Sequence, residues 1–140
     1  MTRKIALVSC VSQKGSRPAP AQDLYISDLF RKASAYARLV ADQWYILSAK
    51  YGLVPPDEII SPYNVTLKQL PAAERRAWAS RVNADLGRVL KAGDHVVFLA
   101  GEAYRAGLID AIRGMGCTVE IPMEGLGIGQ QLHWLNEHLR

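Results

Sequence analysis

Cysteine is scarce here: the 140 residues hold two, Cys10 and Cys117. Cys10 is expected to end a first strand and Cys117 lies far along the chain. Their spacing is neither that of a metal-ligand pair nor that of a redox motif, so they read as two thiols in a reducing compartment. Long apolar runs are missing as well, and nothing approaches the roughly 20 residues a bilayer-crossing helix needs, so no membrane partner is expected. Met1 to Lys4 followed by Ile5-Ala6-Leu7-Val8 is too short for a signal peptide's apolar region, which sets the expectation of a cytoplasmic protein. His, Cys and carboxylates nowhere gather at metal-site spacing, so zinc is disfavoured and no cofactor is expected. A Gly-x-Gly-x-x-Gly turn after the first strand is absent too, which excludes the usual dinucleotide fingerprint. Acidic residues are the minority, 13 against 17 Lys and Arg, for a net charge of +4. That excess suits an anionic partner, nucleic acid or a phosphorylated small molecule, and equally serves plain solubility.

What is present is an ordinary globular composition, 49% hydrophobic and 21% charged, which argues against disorder. The length suits one domain over residues 1–140 that buries about two-thirds of its unfolded surface. Ile5-Ala6-Leu7-Val8, Trp44-Tyr45-Ile46-Leu47 and Val96-Val97-Phe98-Leu99 are continuous apolar runs, as strands covered on both faces require. Thr118-Val119-Glu120-Ile121 is a weaker fourth, suited to an edge.

Helical patterns alternate with these runs. The first is capped by Ser27 or Asp28, with a stripe of Leu29, Phe30, Ala33, Ala37 and Val40. The second starts at Pro71, buries Ala73, Trp78, Val82, Leu86 and Leu90, and ends at Gly93. A third is predicted from about Glu102 to Met115, and a last from about Gly129 to Leu139. Strand and helix in alternation predict a Rossmann-like α/β fold: a three-layer sandwich whose short, mostly parallel sheet of about four strands is flanked by helices.

Two loops exceed the usual connection length, and both should leave the carboxyl edge of the sheet, where such folds bind ligands. The first, from Cys10 to about Tyr25, contains Lys14 and Arg17. Cys10 beside Ser9 can be read as a nucleophile, as a small buried residue, or as one lining a ligand. The second runs from Ser48 to about Leu67. Gly52 gives it a turn closed to other residues, and Pro55, Pro56 and Pro62 stiffen it. In it, Lys50 can meet a phosphate, Asp57 can act as a base or cap a turn, and Tyr51 and Tyr63 can stack on a base or pack the loop down. After the third strand, Gly101 permits close backbone approach. Glu102 can bind a sugar hydroxyl, carry a proton, or simply favour the helix dipole. Gly125, Gly127 and Gly129 suit either a tight turn or a phosphate or ribose contact.

The stretch Leu47-Ser48-Ala49-Lys50-Tyr51-Gly52-Leu53, with Pro56-Asp57, Ile60 and Pro62-Tyr63, resembles the central signature of the YaaA family of peroxide stress proteins. The chain is more similar still to small bacterial and phage proteins of a family of unknown function. Those begin with a strand running into Ser9-Cys10, continue through Pro18-Ala19-Pro20-Ala21 and Asp23-Leu24-Tyr25, and close with Gly125-Leu126-Gly127-Ile128-Gly129. The likeness to YaaA is confined to the central loop. It implies a setting of nucleic acid and protection from oxidative damage.

The expected pocket therefore combines Ser9, Cys10, Lys50, Tyr51, Gly52, Asp57, Tyr63, Gly101 and Glu102, with Lys14, Gly125 and Gly127 as further binding residues. The function expected is that of a nucleotide- or nucleic-acid-associated protein hydrolysing a nucleoside or modified base, with Asp57 or Glu102 handling the proton. The alternatives are a non-catalytic DNA- or RNA-binding module using Lys14, Arg17, Lys50, Arg75, Arg76 and Arg81, and a domain that binds small nucleotides.

Overall fold

The computed structural model describes residues 2–9 and 15–140. In chain order the elements begin with β1 (Lys4–Ser9), β2 (Ala19–Pro20), α1 (Ala21–Leu24), α2 (Asp28–Val40), β3 (Gln43–Ser48), β4 (Gly52–Val54) and β5 (Ile59–Ile60). A 3-10 turn (Leu67–Gln69) and α3 (Ala72–Val89) follow, then β6 (His95–Leu99), α4 (Glu102–Arg105), α5 (Ile109–Gly114), β7 (Thr118–Glu120) and α6 (Ile128–His138).

The main sheet has the order β4-β3-β1-β6-β7. β1 pairs in parallel with β3 and with β6, and β6 in parallel with β7. These are the four expected strands, with the weak fourth at an edge. The sheet nonetheless has five strands, because part of the expected second loop pairs. Gly52, at φ +76°, reverses the chain so that Leu53 and Val54 lie antiparallel to Leu47 and Ile46. Full burial of Val54 rewards the pairing. A short second ribbon joins β2 to β5.

Alternate residues of each central strand point to opposite faces. Ile5, Leu7, Leu47, Val96 and Phe98 pack with Trp78, Val82 and Leu86 of α3 and Ile112 of α5. Ala6, Val8, Ile46, Val97 and Leu99 pack with Phe30, Ala33 and Ala37 of α2 and Leu135 of α6. Both faces are covered, which is why these strands read as unbroken apolar runs. Each fully buried Leu or Ile contributes about 1.5–3 kcal/mol.

Ser27 caps α2, its Oγ accepting from Phe30 N at 3.2 Å, and α3 begins directly after Pro71. Two details of the expected helices are corrected. Ala73 is exposed rather than part of the α3 stripe. The segment from Glu102 to Met115 is two short helices, interrupted at 106–108 by a turn. There Gly107 lies so close to α3 that an added Cβ would stand 2.8 Å from Ala79 Cβ. Asn83 Nδ2 donates to the Gly107 carbonyl at 3.1 Å, fixing the turn.

The connection through α2 carries the chain from β1 to β3 on one side, and the connection through α3 returns it past β1 to β6 on the other. Loops therefore diverge between the carboxyl ends of β1 and β6, opening a crevice of the kind that binds ligands in such sheets. The opposite end of the sheet is closed by Arg3, whose Nε and Nη2 donate to Asp94 at 3.1 and 2.6 Å.

Candidate functional site

The parallel register sets Ser9 beside Leu47 and Val8 beside Leu99, so the carboxyl ends of β3, β1 and β6 are level. Gly101 N donates to Ser9 Oγ at 3.3 Å, joining the ends of β1 and β6. Around this bond lie two cavities of about 390 and 410 Å³ that share Ala100, Gly101, Met123 and Gln131. The first is also lined by Glu102, Arg105, Gly125 and Gly127, and the second by Ser9, Ser27, Asp28, Phe30 and Ile128. Apolar walls from Leu99, Phe30, Met123 and Ile128 face a few polar groups, the usual make-up of a small-molecule pocket.

Hydrogen bonds fix the rim. Arg105 Nη1 donates to Ala100 O at 3.0 Å, and its Nη2 lies 4.0 Å from Glu124 Oε2. Gln131 Nε2 donates to Leu126 O at 2.8 Å, and Gln130 Oε1 accepts from Gly127 N at 3.0 Å. Gly125 and Gly127 thus stand in a loop braced by these two glutamines. Glu102 is exposed and lines both this crevice and a third cavity of about 680 Å³ on its other side, against α3.

A second constellation stands at the end of β3. Ser48, fully buried, donates from Oγ to Tyr63 OH at 2.9 Å and accepts from Tyr51 N at 3.0 Å. The phenol oxygens of Tyr25 and Tyr63 are 2.6 Å apart. Tyr25 and Tyr51 both meet the Tyr63 ring edge-on, at centroid distances of 6.3 and 5.7 Å, and Lys50 Nζ lies 5.3 Å from the Tyr51 ring centroid. Tyr25 also packs on Phe30 at 5.0 Å. The tyrosine cluster is therefore the backing of the crevice wall to which Phe30 belongs.

Of the expected site residues, Ser9, Gly101, Glu102, Gly125 and Gly127 line the crevice. Lys50, Tyr51, Gly52 and Tyr63 leave the same sheet edge but line none of these three cavities. Asp57 is separate again. It sits exposed in a turn whose neighbouring carbonyls, Pro56 O and Glu58 O, accept from Gln22 N and Ala21 N at 2.9 and 2.8 Å. None of these three cavities is lined by both Asp57 and Glu102. Cys10 and Lys14 lie outside the described residues.

Sequence reasoning did not single out Arg105, Met123 or Gln131 as lining residues. Arg105 follows Glu102 by three positions, the spacing that puts two side chains on one helix face. That signal was available.

Among the described residues no three His, Cys, Asp or Glu side chains gather as a metal-holding group, and no helix is long and apolar enough to cross a membrane. Cys117 is buried, with its thiol pushed up by burial. His95 begins β6 at the far end of the sheet, its Nε2 2.8 Å from Glu120 Oε1.

The model of a family of unknown function (DUF6884) matches residues 5–137. The chain is also 28% identical, over 96% of its own length and 93% of the other protein's, to the uncharacterized protein YfjM of Bacillus subtilis strain 168.

Proposed function

We propose that this chain, which belongs to the DUF6884 family of unknown function, binds a nucleoside moiety in the crevice between β1 and β6 and hydrolyses it at the bond to its base. The observation that carries this reading is Glu102, an exposed carboxylate placed where an apolar-walled crevice opens onto the sheet's switch point. The base lies against Phe30, Leu99 and Met123, with its polar edge toward Gln131 and the Ser9–Gly101 pair. Glu102 accepts a proton from a water that adds to the sugar carbon, the bond from that carbon to the base breaks, and the departing base takes a proton from solvent. Glu102 takes this role rather than Asp57 because Glu102 lines the crevice. The likeness of the central loop to the YaaA signature supports a nucleic-acid setting.

The test is a thermal-shift panel of nucleosides, nucleotides and oligonucleotides, followed by chromatographic detection of released base. Ligand at a hundred times its dissociation constant stabilises the native state by about 2.7 kcal/mol, a readily measured shift. Glu102→Gln is expected to keep that shift and lose about 10²–10⁴-fold in release. A shift without any release from the parent protein favours a small-nucleotide-binding domain, and no shift with any nucleoside-containing compound overturns the proposal.

A further inference from the structure

The third cavity, of about 680 Å³, lies on the α3 side of Glu102 and is the largest of the three. Its apolar lining combines small groups, Ala72, Ala79, Ala103, Ala106 and Gly107, with the aromatic side chains of Trp78 and Tyr104. Its rim carries Lys68 from the 3-10 turn and Arg75 and Arg76 from α3. All three cations are exposed, and none is ion-paired among the described residues. On α3, Ala72, Arg75, Arg76 and Ala79 are spaced by three and four residues and form one helix face. Arg81, five residues beyond Arg76, falls off that face and does not line the cavity. Three positive charges without ion-pair partners therefore border a groove that holds one carboxylate, Glu102, and Gly101 and Glu102 line both this groove and the crevice.

We infer that this groove binds the phosphodiester backbone of a single nucleic-acid strand, held by Lys68, Arg75 and Arg76. The inference rests on the nucleoside reading above and names its substrate class: the nucleoside entering the crevice belongs to a strand rather than to a free nucleotide. Two features select a strand. Three cations lining one groove can meet more phosphates than a mononucleotide carries at a single position. The apolar lining receives the sugar and base edges that a single strand exposes and a duplex hides.

The test is fluorescence anisotropy of a labelled single-stranded dodecanucleotide against the full chain across a salt series. Neutralising three phosphates gives a log–log salt slope near −2 on single strands. The Lys68→Ala/Arg75→Ala/Arg76→Ala variant is expected to bind about 100-fold more weakly at low salt and to flatten that slope by about 2. Each single substitution should take a share of the loss, which guards against a misfolded triple variant. Arg81→Ala is expected to bind as the parent does. The inference is overturned if the triple variant keeps the parental slope, if Arg81→Ala weakens binding as much as Arg75→Ala, or if a mononucleotide at matched phosphate concentration displaces the strand completely.

The two readings fail separately. Strand binding that depends on the three cations, with no base release and no nucleoside-induced shift, removes the hydrolytic reading and leaves the groove. Nucleoside stabilisation that depends on the crevice, with strand binding indifferent to the cations, removes the groove alone.

Discussion

Gly107→Ala tests the contact that seats the Glu102 segment against α3. The added Cβ would stand 2.8 Å from Ala79 Cβ, roughly 0.7–1.2 Å inside an ordinary carbon–carbon contact. Neither methyl has a torsion by which to swing away, so the backbone of the 106–108 turn or of α3 must shift. Overpacking of this kind costs about 1–3 kcal/mol. Opposing it, alanine for glycine restricts the unfolded chain and stabilises by about 0.4–1 kcal/mol where φ is compatible, and Gly107 is not among the positive-φ glycines. The steric cost wins, for a net loss of about 1–2 kcal/mol and a melting temperature about 3–6 °C lower in a domain of this size. Urea unfolding followed by far-ultraviolet circular dichroism measures it. The decisive comparison adds Ala79→Gly, which alone costs about 1 kcal/mol in helix propensity but removes the opposing methyl. The double variant should lose less than the sum of the singles by about 1–2 kcal/mol. A Gly107→Ala protein as stable as the parent, or strictly additive losses, would show that this approach does not fix the turn.

Contacts elsewhere in the fold set three further outcomes. Ser48→Ala removes a buried hydroxyl that serves Tyr63 and Tyr51 N at once, so thermal melting should show a loss of about 1–3 kcal/mol, whereas Tyr51→Phe, touching only an exposed 3.4 Å bond, should melt within about 0.5 kcal/mol of the parent. Hydrogen bonds from Arg3, ahead of that from Lys91 N, hold the Asp94 carboxyl below its usual range. That stabilisation is therefore full above about pH 4, the unfolded value, and is lost as pH falls through the lower folded value. Urea midpoints at pH 7 and pH 3 should draw together in Asp94→Asn. In a Cys10→Ser background, Cys117 should resist iodoacetamide in the native protein and react on unfolding, because its thiol is buried and shifted up.

The strands were legible where burial on both faces leaves an unbroken apolar run, as in Ile5 to Val8 and Val96 to Leu99. β4 was not, since three residues, Gly52-Leu53-Val54, carry no periodicity and their pairing is decided by β3. The split of the predicted third helix had one signal, Gly107, but its cause is a contact with Ala79 that no local pattern encodes. The meeting of Ser9 with Gly101 followed from strand direction alone, because parallel neighbours bring their carboxyl ends together. Asp57 did not join them. Once Gly52 turns the chain back along β3, the Pro55–Glu58 turn is carried to α1, and that destination depends on distant backbone partners. Tyr63 was weighed as a stacking platform or a packing residue, and its hydroxyl meets those of Tyr25 and Ser48, partners that no local pattern encodes.

The β2–β5 ribbon, with the bonds from Ala21 N and Gln22 N to the turn before β5, stitches the excursion that follows β1 to the one that follows β3. Residues 19–22 and 56–60, remote in sequence, are consequently tied to one another. Displacing either by a cargo pressing outward must drag its counterpart, so insertions at Ala19 or at Ile59 should be felt equally at both.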